Sequence, residues 1–301
     1  MQDTSAILVV AVCLVLGVVA ADVAIGVLWL LRRDAAAAGL APPLFRRTWS
    51  LVHVWFGAQA TLLAIIALSL LGVSLLTLAP GYSLSAGLSA LEKSSVPMEG
   101  VWLMAVATLG QCVAMAAVPV LVIRQGYGVR LSEIGLGRGV SKRHLMVGLL
   151  LGIAMLLVGV ATEVGLDAAL RAALGPDVAR SVRSASERFS PVGFMKAAEA
   201  NPAAMAAIFL AVAIGAPVSE ELFFRGWLQR CARARFGVRA GVLISAALFA
   251  LAHGGPVLVI AIFPMGLLLG WAYERTGSLW VTILMHAVNN AAATVGVWLG
   301  N

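Results

Sequence analysis

The sequence predicts an all-α protein, a polytopic membrane helical bundle of about eight transmembrane helices. Of its 301 residues 61% are hydrophobic and only 12% are charged, with a mean hydropathy of +0.98. A soluble globular domain is roughly 45–50% apolar. The apolar residues fall in blocks near 5–31, 51–79, 100–123, 145–170, 203–224, 238–253, 256–273 and 279–299. Crossing a hydrocarbon core of ~30 Å takes roughly 20 helical residues. In lipid each backbone N–H and C=O needs a partner within the protein, and a helix supplies one inside a single segment.

Taken in order, the first block has no basic leader and no small-residue cleavage site, so it is expected to be a retained span rather than a removed signal. The sixth and seventh are the shortest and are divided only by Gly254-Gly255-Pro256. Arginine and lysine mark three loops: Arg32, Arg33, Arg46 and Arg47; Arg124, Arg130, Arg138, Lys142 and Arg143; and Arg230, Arg233, Arg235 and Arg239. The positive-inside rule makes these loops cytoplasmic and puts both termini outside. The segment 171–202 mixes charges with Phe189, Phe194 and Met195 and is expected to include a surface amphipathic helix. Pro217 and Pro264 are expected to bend their helices and free nearby carbonyls.

Nothing divides the chain into separately folding parts, since no low-complexity tract, linker or fixed-period repeat interrupts it. Residues 1–301 are read as one membrane domain. The net charge of +7 resides in short loops beside apolar helices, which points to anionic lipid and away from nucleic acid as a partner. Cys13, Cys112 and Cys231 show no ligand spacing, so neither a disulfide nor thiol chemistry is expected.

Chemistry is sought in the last third, where ionisable residues interrupt apolar segments. A charge within the bilayer costs several kcal/mol and marks function. Glu220 and Glu221 are adjacent, His253 ends the sixth block, and His286 lies in the eighth. On a helix Glu221 and Arg225 are four apart and share a face, whereas Glu220 is turned about 100° away. One glutamate is thereby tied to the arginine and the other is left free to take a proton as a general base. Phe249 and His253 share a face, as do His286 and Asn290. Singly each has a bland explanation, a helix cap or an interhelical clasp. Together they supply a base, its orienting partner and donors for an oxyanion. Two histidines and a carboxylate are also the ligand set of many hydrolytic zinc sites, so Glu220, His253 and His286 form an alternative metal set. His53 is the best candidate for a supporting group among Asp22, His53, Gln111, Glu163 and Asp167, while His144 is expected to be solvated.

The order Glu220-Glu221-xxx-Arg225, Phe249-xxx-His253, His286-xxx-Asn290 resembles the motif set of the CPBP family, the CAAX proteases and bacteriocin-processing enzymes, also called Abi. Pro217 and Phe224-Arg225-Gly226 resemble it too, and the likeness covers 203–300, which would be a CPBP-like catalytic core. The resemblance implies an intramembrane endopeptidase acting on a membrane-associated CAAX-like tail or small peptide. Glu220 would activate water with His253, and His286 and Asn290 would stabilise the oxyanion. Glu221 and Arg225 would hold the motif helix, with Phe249 in support. A metal-independent site is favoured, because a carboxamide such as Asn290 is a poor zinc ligand. The alanine-rich composition suggests a bacterial inner membrane, with hydrolysis near its cytoplasmic face, Glu220 lying within about one helical turn of the Arg-rich loop. A non-enzymatic immunity or regulatory partner is the alternative, and an ion-coupled transporter is disfavoured by the lack of an inverted repeat.

Overall fold

The structure, a computed structural model, describes residues 50–79, 81–83, 98–137, 140–187 and 201–299. The first predicted span, Asp22 and Cys13 lie outside these. Among the described residues the secondary structure is helical throughout, as the apolar blocks predicted. The helices are α1 (Leu51–Leu76), α2 (Met98–Leu121, continued by a π turn), α3 (Lys142–Leu174), α4 (Pro176–Glu187), α5 (Pro202–Phe236), α6 (Val238–Ala252), α7 (Pro256–Thr276) and α8 (Leu279–Trp298). Five stretches, in α1, α2, α3, α5 and α7, are long and apolar enough to cross a membrane. Their outward faces carry Leu63, Leu70, Leu157 and Val164, all exposed, and this apolar exterior suits lipid.

The remaining predicted spans differ from that pattern for local reasons. α6 has 15 residues, about 22 Å at ~1.5 Å per residue, less than the hydrocarbon core. Gly254 and Gly255 then reverse the chain with φ of 69° and 66°, a backbone region that favours glycine. α8 carries His286, Asn289 and Asn290, which lower its hydropathy. In the segment expected to hold a surface helix, Gly175 (φ 80°) ends α3 and α4 follows.

α5 is the axis of the bundle. It is one rod of 35 residues that alternates α turns with two π segments, Leu210–Gly215 and Leu222–Gln229. Sequence reading ended this span at 224; the rod continues to Phe236. Glu220 therefore lies about 15 Å along the helix from Arg230, deeper than the single turn expected from the sequence.

A polar ladder joins α5 to α7. Arg225 Nη2 donates to Gly266 O at 3.2 Å, and Gln229 Nε2 donates to Gly270 O and to Glu274 Oε1, both at 3.0 Å. Arg233 Nη1 closes the series on Glu274 Oε2. Residues step by four on both helices, so the two run parallel, and the glycines let the backbones approach. A Cβ on Gly270 would sit 2.9 Å from Gln229 Oε1 and 3.0 Å from Val242 Cγ1. Gly270→Val is therefore expected to cost about 1–3 kcal/mol, as overpacking does, read as a lower melting temperature in detergent.

α8 runs antiparallel to α5, setting His286 beside Glu221 and Asn290 beside Val212. α3 flanks α8, with Gly148 against Val281 and Leu284 and Gly152 against Val288. At the arginine-rich end Tyr273 Oη donates to Ile134 O, Arg230 Nη1 to Glu133 O and Leu279 N to Gly135 O. These three bonds pin the Leu131–Ile134 turn across that end of the bundle.

Candidate active site

Glu221 and Arg225 form the buried pair that the i,i+4 spacing predicts. Arg225 Nη1 donates to Glu221 Oε1 at 2.7 Å, and neither side chain is accessible to solvent. The guanidinium carbon also lies 4.4 Å from the centroid of the Phe249 ring, a cation–π contact in a desolvated setting. Phe249 packs in turn on His253 at 4.7 Å, on Phe224 at 5.2 Å and on His286 at 5.6 Å between ring centroids. It is the hub against which the arginine and both imidazoles are set.

The partners show that each histidine carries a hydrogen on Nδ1. His253 Nδ1 is 2.8 Å from Phe249 O, and a carbonyl only accepts, so Nδ1 carries the hydrogen. His286 Nδ1 is 3.0 Å from Glu221 Oε1, the oxygen that also accepts from Arg225 Nη1, so here too Nδ1 donates. Each ring therefore turns Nε2 the other way, and both face one atom. Glu220 Oε2 lies 4.0 Å from His253 Nε2 and 3.9 Å from His286 Nε2. That oxygen is buried and has no hydrogen-bond partner. Glu221 is thus bonded to Arg225, whereas Glu220 Oε2 has only the two imidazoles near it.

The gap has the size of a water. Two contacts of about 2.8 Å meeting near a right angle span 4 Å. Tetrahedral zinc, with bonds of about 2.0–2.1 Å, would draw its ligands to roughly 3.4 Å of one another. Among the described residues no group of three His, Cys, Asp or Glu is placed to hold a metal ion. Glu220, His253 and His286 are of the right types for zinc, and Glu220 Oε2 stands about 0.5 Å farther from each imidazole nitrogen than two ligands of one zinc would.

Asn290 is one turn beyond His286 on α8, and its Nδ2 donates to Val212 O at 2.9 Å. One amide hydrogen is thus committed to α5. The other sequence candidates lie elsewhere. His53 is exposed, with Nδ1 2.6 Å from Ser50 Oγ and its ring edge-on to Tyr127. Gln111 Nε2 reaches Met115 Sδ, and half-buried His144 joins the Ser141 capping box. Glu163 and Asp167 line a cavity of about 610 Å³ with Arg171, Arg180 and Arg183, where Asp167 pairs with Arg171 and Arg183. Cys112 and Cys231 are buried thiols, not joined in a disulfide. Sequence reasoning missed Gln229, Arg233 and Glu274, although the four-residue step from Arg225 through Gln229 to Arg233 was a readable signal.

A helical membrane bundle that turns two imidazoles toward one buried carboxylate oxygen without a hydrogen bond is an arrangement suited to acid–base chemistry on a bound water. Residues 202–292, which span α5 to α8 and every residue of this cluster, match the family model described as type II CAAX prenyl endopeptidase Rce1-like. These residues thus form an Rce1-like domain, matching the CPBP resemblance, and the domain together with the apolar helices supports an integral membrane endopeptidase in general. No curated protein and no solved structure gives a match.

Proposed function

We propose that this protein hydrolyses a peptide bond in a membrane-anchored tail of CAAX-like type, or in a small membrane-associated peptide, with Glu220 as the general base. The observation that carries the reading is the pair of Nε2 atoms 3.9 and 4.0 Å from the unpartnered Glu220 Oε2. Neutral His253 presents an acceptor at Nε2, so a water seated there donates one hydrogen to it and one to Glu220. The water oxygen keeps a lone pair for attack.

As the O–C bond forms, the water proton passes to Glu220 and the carbonyl π pair moves onto oxygen. His286, backed by the Glu221 carboxylate, stabilises that charge as an imidazolium through its Nε2–H, assisted by the second amide hydrogen of Asn290. Collapse breaks the C–N bond, and Glu220–H returns its proton to the leaving amine. A free carboxyl and a free amine result.

This route needs no metal. Purified protein treated with chelator until zinc-free is expected to cleave a quenched fluorescent CAAX-type peptide at its untreated rate. Loss of activity on chelation, restored by about one zinc per chain, would replace this mechanism with a metalloprotease. The same alanine-rich, arginine-looped chain fits a bacterial inner membrane, with lipid and the substrate tail as its partners.

A further inference from the structure

The Pro217 ring and the Asn290 amide act on one backbone atom, the carbonyl oxygen of Val212. In the π segment Leu210–Gly215 hydrogen bonds run from each N–H to the carbonyl five residues back, and the Ala216 N–H accordingly reaches Ala211 O. The next donor in that register, due at Val212 O, belongs to Pro217, which has no N–H. Val212 O is thus passed over by Ala216 and cannot be served by Pro217. Asn290 Nδ2, from the antiparallel helix α8, donates to it at 2.9 Å.

The position of this bond gives it consequence. The π segment ends at Gly215, and α turns resume over Ala216–Glu221 to deliver Glu220. The width of the bulge therefore sets the rotation at which Glu220 faces His253 and His286. An orphaned carbonyl in a lipid-embedded helix would favour collapse of the bulge, since an unpaired polar group there is costly. A proline in an α register would in turn clash with the carbonyl four residues back. Proline and asparagine thus stabilise the bulge from opposite sides.

We propose that Asn290 is a positioning residue, which holds the π bulge before Glu220 by donating to the Val212 carbonyl that Pro217 leaves without a backbone donor. This goes beyond the oxyanion contact given above and rests on the same peptidase reading for its kinetic test. The two roles separate by the residue at 217. An oxyanion donor is needed whatever residue stands at 217. A donor to Val212 O is dispensable once residue 217 has an N–H.

The test is a double-mutant cycle on the full chain, with Asn290→Ala introduced into the wild type and into Pro217→Ala. Asn290→Ala is expected to lower kcat on the quenched CAAX-type peptide at least tenfold in the wild-type background, with KM changed less than threefold. In the Pro217→Ala background the loss is expected to be at least threefold smaller, what remains being the oxyanion contact. An equal loss in both backgrounds, or none in the first, overturns the proposal.

Melting temperature in detergent supplies a second reading that does not need turnover. Asn290→Ala is expected to lower it with proline at 217 and to leave it unchanged with alanine there; equal decrements overturn the proposal even if Pro217→Ala itself abolishes activity. If the wild type cleaves no peptide, the peptidase reading fails while the thermal cycle still decides this one.

Discussion

Glu220→Gln is expected to reduce peptide hydrolysis by about 10²–10⁴-fold, the range that a positioned general base contributes, and to leave the melting temperature close to wild type. The exchange is isosteric and removes one charge. Glu220 Oε2 has no hydrogen bond to lose, and its nearest partners are the two imidazole nitrogens about 4 Å away. The amide neither takes the proton of the water nor returns it to the leaving amine, so both chemical steps fail together. Kinetics on the purified variant, set beside a thermal melt, separate this from a folding defect.

Glu221 is expected to behave differently from its neighbour, although both are buried glutamates. Glu221→Gln leaves the Arg225 guanidinium without its carboxylate among Phe249, Gly266 and apolar side chains. Breaking a buried pair at one end costs about 3–5 kcal/mol, so this variant should melt well below wild type in detergent. Replacing both ends is often neutral, because no uncompensated charge remains. The double variant Glu221→Gln/Arg225→Met is therefore expected to regain much of the lost stability. It should stay inactive, since the anion that holds His286 Nδ1–H at 3.0 Å is gone. A double variant that is stable and fully active would show that His286 needs no anchor.

The contrast between the two glutamates was legible in the sequence, for a simple physical reason. A spacing of four residues places Glu221 and Arg225 on one face, and a step of one turns Glu220 away. Helix identity was legible too, because burial in lipid leaves few alternatives to a helix and the apolar blocks announce themselves. What the sequence hid was register. The π segments of α5 change which carbonyl each N–H reaches, and they carry the rod to Phe236 with Glu220 far from Arg230. Periodicity arguments assume a constant α turn and do not register such a change. Pro217 was visible as a bend, but its effect on Val212 O depends on the π register and on Asn290 arriving from α8, a contact between residues 78 positions apart.

The ladder from Arg225 to Arg233 was hidden for another reason. Arg233 read as part of a cytoplasmic loop and Gln229 carried no reading, whereas both bond to α7, at Gly270 and Glu274. The glycines that admit this contact belong to a helix read only as a short apolar span. The sequence assigned Asn290 to the oxyanion on resemblance, and the structure adds a second partner for the same amide.

The central claim is that the Glu220 carboxylate activates the water that cleaves a peptide. The most direct measurement sets purified wild type and Glu220→Gln, matched for melting temperature, on the same quenched fluorescent CAAX-type peptide, with products identified by mass. Cleavage at one bond by wild type and a loss of at least a hundredfold in Glu220→Gln is the result predicted. Cleavage by Glu220→Gln at the wild-type rate would contradict it.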